Sequence, residues 1–397
     1  MCFVELIELL NKRTVFKDRN ILSPHYLPDT LPHRDEHIKK IATLLSPILK
    51  SQQVPNILMF GNTGTGKTST IKYVKKLFDK EIKKQKLNVS FLYLNCRTYN
   101  SKYRILLRIL RELSMDIDKG GFSISYLYEH LLNKLNKGHK LVIILDEIDM
   151  INDLDDVIYS LIRANDEVEN GFISLIGISN KIMLKNELDP RSRSSLNEKE
   201  IIFSPYNAIQ LETILNQRIK LGFKKNAVSP DIVPLIAAIT AQENGDVRFG
   251  LKLLLKAGEI ADERNSEKVE KIDVEKARNE VEYDIISNII ASLPEKEIVL
   301  LYSIVKISTN KKIKTFGEEG YYPSGEIISY YKKISKRLGF QPVSSRYYSK
   351  YISDLEALGL ITTVFSGKGF RGHTRFIKIE SKIEDLNKIL ERRLGLR

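Results

Sequence analysis

Cysteine is almost missing from this 397-residue chain: Cys2 and Cys96 are the only two. Two thiols cannot build a disulfide framework, so a reducing, cytoplasmic setting is expected and both are read as structural. Long apolar runs are missing too. The longest, such as LVIIL at 141–145, are of strand length, so no membrane-spanning helix and no membrane partner is expected. The opening stretch, MCFVELIELLNKRTVF, has an early acid and no small-residue cleavage site, and is not read as a signal peptide. Six histidines lie scattered without metal-ligand spacing, and no zinc site is expected. Internal repeats and low-complexity tracts are not found. Hydrophobic residues at 42% and charged residues at 28% are ordinary for a globular chain, which excludes a disordered or fibrous one. The length implies two or three domains.

What the chain has in excess is positive charge, 63 Lys+Arg against 50 Asp+Glu. The excess is uneven. Residues 291–397 carry 20 basic and 11 acidic side chains and eight of the 18 tyrosines, whereas the first 290 residues carry 43 and 39. A basic region with interleaved aromatics points to nucleic acid; a solvated basic face without a partner is the plainer alternative.

Along the chain, a helix and an extended, proline-containing approach (1–30) lead to a helical stretch at 33–50. Apolar strands follow at 56–60, 89–95, 141–147 and 172–180, with helices at 67–84, about 101–115 and 122–136 between them. Strands that are apolar throughout and alternate with helices predict a mostly parallel sheet covered on both faces. After Pro205 only helical spacing appears, at 208–221, 230–243, 247–265 and 273–290. Residues 309–324 read as a flexible loop.

GNTGTGKT at 61–68 matches G-x-x-x-x-G-K-[ST] between a predicted strand and a predicted helix. Backbone N–H groups of Gly64, Thr65 and Gly66 can cradle phosphates at the helix N-terminus. Lys67 is placed to reach the β- and γ-phosphates, and the Thr68 hydroxyl to ligate Mg²⁺. Asp146 and Glu147 end the strand LVIIL, at the edge where an open parallel sheet binds its ligand. Asp146 is placed to hold the Mg²⁺, directly or through water, and Glu147 to polarise the attacking water. Asn180 ends the fourth strand, where it either bridges γ-phosphate and water or caps the next turn. Arg248, in GDVRFGLKLL, either reaches the γ-phosphate or lies on a helix surface.

The C-terminal segment reads as a winged helix. Helices at 324–338 and 344–358 flank the turn GFQPV, with Tyr348, Ile352, Leu355 and Leu358 at helical spacing. The second helix can enter a major groove with Ser344, Ser345, Arg346, Tyr347 and Lys350. LITTVF and TRFIKI flank SGKGFRGH, a glycine-containing tip whose Lys368, Gly369 and Arg371 can follow phosphates or the minor groove. The alternative use of such a domain is protein contact.

Together these residues resemble the AAA+ ATPases, and in detail the archaeal origin-recognition initiators, which are related to eukaryotic origin-recognition and cell-division-cycle loading proteins. The matching stretches are YLPDTLPHRDEHI, GNTGTGKTSTI, LDEIDM, IGISN, LDPRSRSSL, FSPYNAIQLETILNQR, GDVRFGLKLL and SSRYYSKYISDLEALGLI, across about 15–397. The resemblance implies an AAA+ P-loop α/β domain (1–204), an all-helical lid (205–290) and a winged-helix domain (291–397). It implies an ATPase that binds ATP or ADP through Gly61, Asn62, Thr63, Gly64, Thr65, Gly66, Lys67, Thr68 and Ser69, with Thr68 and Asp146 on Mg²⁺. Glu147, Asn180 and Arg248 take the water, sensor-one and sensor-two roles. Leu27, Pro28 and Arg34 line the adenine pocket in this family, and Tyr206 and Ile214 lie in the lid stretch that closes over the nucleotide. Arg191 or Arg193 would act on a neighbour's nucleotide. An initiator-specific helical insertion falls at 96–113, where Arg97, Lys102, Arg104 and Arg108 are candidates for a second DNA contact or for one face of an amphipathic surface helix.

The expected function is an ATP-switched initiator that binds double-stranded origin DNA in the nucleoid, recruits or loads the replicative helicase and acts with paralogous initiators. A clamp-loader or remodelling motor, and a winged-helix signalling ATPase, are the alternatives from other classes. The motor requires an obligate ring, and the signalling ATPase requires an absence of DNA affinity at moderate salt.

Overall fold

A computed structural model describes residues 13–113, 121–309, 320–365 and 375–396, which divide into two compact units, Met1–Glu275 and Lys276–Arg397. The first is built on a five-stranded parallel sheet: β1 (Ile57–Phe60), β2 (Val89–Asn95), β3 (Lys140–Asp146), β4 (Phe172–Ser179) and β5 (Lys199–Ile202), in the order β2-β3-β4-β1-β5. β1 and β4 are buried along their whole length because both sheet faces are covered. One face packs on α1 (Asp35–Leu45) and α2 (Lys67–Gln85), with Ile41, Ile71, Val74 and Phe78 in its core. The other packs on α3 (Lys102–Glu112), α4 (Ile124–Asn136) and α5 (Leu154–Arg163), through Leu106, Ile109, Leu131 and Ile158. Two short helices, α6 (Leu184–Glu187) and α7 (Pro190–Leu196), lead into β5.

β5 is absent from the sequence reading. It is an edge strand, three of its four residues are exposed and two are charged, so it lacks the continuous apolar run of its neighbours. The stretch at 33–50 is helical only to Leu45. Pro47 then helps convert the next residues into a 3-10 turn, Ser46–Lys50.

The helical segment of the same unit comprises α8 (Ala208–Gly222), α9 (Ile232–Gln242) and α10 (Val247–Glu263). α8 begins with a capping box, in which Asn207 accepts from Gln210 N and Gln210 returns a bond to Asn207 N. The stretch ahead of α1 is fastened to this segment rather than to the sheet. The buried Asp262 carboxylate accepts from Val15 N (2.7 Å), Thr14 Oγ1 (2.6 Å) and Arg19 Nη2 (2.7 Å). Phe16 bridges to Phe223, and the two rings lie tilted with centroids 4.7 Å apart. The helix foreseen within 1–30 falls largely outside the described residues; residues 19–22 form a 3-10 turn. α11 (Lys271–Ser292) runs from the first unit into the second.

The second unit places α12 (Glu295–Ser308), α13 (Ser324–Arg337), α14 (Ser345–Ala357) and α15 (Ile383–Arg393) around an antiparallel sheet of β6 (Tyr322–Pro323), β7 (Ile361–Phe365) and β8 (Arg375–Ile379), in the order β6-β8-β7. Ile298, Leu301, Ile327, Ile352, Ile377 and Leu386 are part of its core. Most of the loop foreseen at 309–324 lies outside the described residues, as does the hairpin tip with Lys368, Gly369 and Arg371.

Candidate nucleotide site and DNA-facing helix

Strand order assembles the first site. β3, β4 and β1 are neighbours, so Asp146, Asn180 and the loop after β1 meet at one carboxyl edge. The loop turns on Gly64 and Gly66, at φ +65° and +86°. A side chain at Gly64 would strike Asp246, 1.7 Å from its ideal Cβ, and one at Gly66 would strike the Tyr206 hydroxyl at 2.7 Å. Glycine is therefore required there by packing as well as by backbone angle.

A cavity of about 340 Å³ opens above the loop. Its walls include Thr63, Gly64, Thr65, Gly66, Lys67, Thr68, Ser69, Leu27, Asp146, Glu147, Asn180 and Arg248. The Lys67 ammonium is folded back on the loop, donating to Gly61 O (2.7 Å), Asn62 O (2.7 Å) and Asn180 Oδ1 (2.9 Å). Burial pushes it down to about 8, against the pull of Asp146 and with the help of Arg248. Asp146 is buried and its Oδ2 accepts from Thr68 Oγ1 at 2.8 Å and Tyr93 Oη at 2.6 Å. Burial, and then the bond to Asp146, raise the Tyr93 hydroxyl above the ordinary tyrosine range.

Thr68 and Asp146 present hard oxygens 2.8 Å apart, and among the described residues no group of three or more His, Cys, Asp or Glu could hold a metal alone. That donor set fits Mg²⁺, which is usually held by one or two protein oxygens together with substrate phosphates.

Six residues assigned to the nucleotide, Gly61, Asn62, Pro28, Arg34, Tyr206 and Ile214, are not among the cavity's walls. Arg34 is buried behind the loop, where it donates to Thr65 O (2.9 Å) and Ser204 O (3.0 Å), and its guanidinium lies 3.8 Å from the Tyr206 ring centroid. These two residues brace the phosphate loop, Arg34 at Thr65 and Tyr206 at Gly66. Ile214 is buried in α8. In their place the cavity is walled by His25, Tyr26, Arg218, Leu251, Tyr93 and Arg97. Arg218, itself buried, donates to Ile21 O at 3.2 Å and lies 4.8 Å from the Tyr26 ring. No local motif marks such a pair, which is 192 residues apart in sequence.

The basic stretch at 96–113 carries an amphipathic helix, one of the two expectations for it. Arg97 turns into the cavity wall and pairs with Glu147. Lys102 pairs with Asp156 at 3.1 Å, and Arg108 with Glu112. Arg104 bonds Thr98 O at 3.3 Å. The apolar side of α3 is buried at Leu106 and Leu110, so it packs as an amphipathic helix on the sheet. Arg191 and Arg193 are exposed on α7, whose first turn is capped by Asp189 accepting from Ser192 N at 2.7 Å.

In the second unit Ser344 precedes α14, and Ser345, Arg346, Tyr347 and Lys350 on it are exposed while Tyr348, Ile352 and Leu355 are buried. Leu358, expected in the core, is 42% exposed beyond the helix end. Glu356 ties the strands to this helix: it accepts from Thr363 N (3.1 Å), Thr363 Oγ1 (2.6 Å) and Arg375 Nη2 (2.6 Å).

Comparison with known proteins accounts for this architecture. Residues 51–180 match an AAA domain, 212–279 the Cdc6 AAA+ ATPase-type lid domain and 288–389 the C-terminal winged-helix domain of CDC6. ORC1-type DNA replication protein 1 of Archaeoglobus fulgidus is 39% identical, over 96% of this chain and 92% of its own. The protein of the same description from Sulfurisphaera tokodaii is 38% identical, over 97% and 95%. Among solved structures, the Aeropyrum pernix ORC1 protein in complex with DNA aligns with a TM-score of 0.81 and 33% identity, over 96% of this chain and 98% of that one. With that identity sustained over nearly its full length, the chain belongs to the ORC1-type DNA replication proteins, AAA+ ATPases with a Cdc6-type lid and a winged helix.

Proposed function

We propose that this protein is a DNA replication initiator that binds double-stranded origin DNA and uses bound ATP or ADP as a conformational switch. The observation that carries the reading is the convergence of Lys67, Thr68, Asp146, Glu147, Asn180 and Arg248 on one cavity, in a chain whose basic second unit exposes Arg346, Tyr347 and Lys350 on a winged-helix surface. Phosphates entering the cavity draw Lys67 off the carbonyls of Gly61 and Asn62. Asn180 and Arg248 reach the γ-phosphate from β4 and from the helical lid, so the nucleotide state is read as an angle between the two. Thr68 and Asp146 would hold the Mg²⁺, which would supply charge neutralisation on the phosphate oxygens. Glu147 accepts the proton of the attacking water, and must leave Arg97 to do so. The Aeropyrum pernix relative was solved with DNA, which supports a duplex partner here. Recruitment of the replicative helicase and action beside paralogous initiators belong to the same reading.

The test is footprinting on genomic duplex fragments at roughly 150 mM salt, where non-specific binding is weakened. Wild type should protect a few discrete sites, and Arg346→Ala/Arg371→Ala should lose them. Uniform protection, or none, would remove the origin-binding reading and leave the nucleotide site.

A further inference from the structure

Tyr93 has no place in the nucleotide chemistry described so far, yet it touches the centre of it. It stands on β2, two residues before Asn95, which pairs in register with Asp146 of β3. Its ring lies against the apolar core on the α1 and α2 side of the sheet, and the Lys72 ammonium is 4.5 Å from the ring centroid. Both residues wall the cavity. The Tyr93 hydroxyl donates to Asp146 Oδ2 at 2.6 Å, the same oxygen that accepts from Thr68 Oγ1 at 2.8 Å. Asp146 Oδ1 accepts only a bond of 3.1 Å from the N–H of Glu147, its neighbour in sequence. Asp146 is thus held from three elements: the start of α2, the strand β2 and its own chain.

These three holds are not equivalent. A hydroxyl oxygen that gives a lone pair to a cation must reorient, so the Thr68 bond changes when the site is loaded. The Glu147 bond is long and local, and Glu147 has its own partner in Arg97. The Tyr93 bond comes from a ring carried on β2 and packed partly into the apolar core, and no role assigned to Tyr93 requires that bond to break on loading.

We propose that Tyr93 is a positioning residue for Asp146, setting the carboxylate for Mg²⁺ through its hydroxyl. The inference rests on the nucleotide-site reading above. Groups that orient metal ligands from behind change metal affinity by about 10–100-fold when removed. Tyr93→Phe keeps the ring, its packing and its approach to Lys72, and removes only the O–H.

The experiment uses the full chain and a fluorescent ADP, titrated in Mg²⁺ and in EDTA. Wild type should bind more tightly with Mg²⁺. Tyr93→Phe should match wild type in EDTA and lose about 10-fold of the gain from Mg²⁺. Mn²⁺ titration at saturating ADP, followed by electron paramagnetic resonance, reads the metal directly and should show the same loss. An undiminished Mg²⁺ gain in Tyr93→Phe overturns the proposal and leaves the nucleotide site intact. Equal weakening in Mg²⁺ and EDTA assigns Tyr93 a merely structural role and also overturns it. If wild type binds no ADP, or binds it without any Mg²⁺ gain, the site reading itself falls, and the inference with it.

Discussion

The nucleotide cavity and the exposed face of α14 are built on opposite principles. In the cavity, the charged groups already have partners within the chain: Lys67 on three oxygens, Asp146 under two hydroxyls, Glu147 on Arg97. On α14, Arg346, Tyr347 and Lys350 stand in solvent over a buried row of Tyr348, Ile352 and Leu355. A site that must hold a reacting group in one geometry is preorganised by its own hydrogen bonds. A surface that must meet a long polyanion gains by releasing counterions, and its side chains remain free until contact. The two regions should therefore fail in different ways.

The sharpest separation comes from Glu147→Gln. Hydrolysis should fall by about 10²–10⁴-fold, the usual contribution of a general base, while ATP stays bound and DNA affinity stays at the wild-type level. A phosphate-release assay beside an ATP-retention assay checks it; loss of DNA binding in this variant would break the comparison. Lys67→Ala comes next. It removes a cation from the phosphates at a cost of about 3 kcal/mol, or roughly 100-fold in nucleotide affinity by calorimetry, again with DNA affinity kept. On the other side, Arg346→Ala and Lys350→Ala should each weaken DNA binding by roughly tenfold and lower the slope of log K against log salt by about 1, without changing ADP affinity. The smallest effect belongs to Glu297, buried in the second unit close to Asp354. Burial, and then Asp354, hold its carboxyl above the usual glutamate range, against Lys350. A carboxyl raised on folding favours the fold at low pH and loses that contribution as pH rises through its folded value. Glu297→Gln should accordingly melt slightly higher than wild type at pH 7 and with little difference near pH 4.

Much of the first region was legible because its signals are local. A glycine loop between strand and helix, and two acids after an apolar run, each lie within eight residues and carry their own meaning. The other four parallel strands were legible for the same reason, as apolar runs. β5 was not, because an edge strand paired on one side carries exposed charge. Arg97 was read from sequence as one candidate DNA contact; its ion-pair partner, Glu147, is 50 residues away, just past the end of β3. Arg34 and Tyr206 touch the phosphate loop itself, Arg34 through Thr65 O and Tyr206 at Gly66, contacts that no spacing encodes. The Arg218–Tyr26 pair needed the fold to be seen at all. Periodicity gives which residues are inward, and here it gave Tyr348, Ile352 and Leu355 correctly; it does not give what they meet.

The bonds that Asp262 makes to Thr14, Val15 and Arg19 have a mechanical consequence. They make the chain ahead of the cavity a passenger of the helical segment, and the cavity wall formed by residues 23–27 lies downstream on the same cord. A displacement of those helices would carry that cord with it, so the two walls are mechanically linked. Asp262→Ala would remove three bonds of this tether and leave those made by Gly222 O, Lys224 N and Arg218 in place.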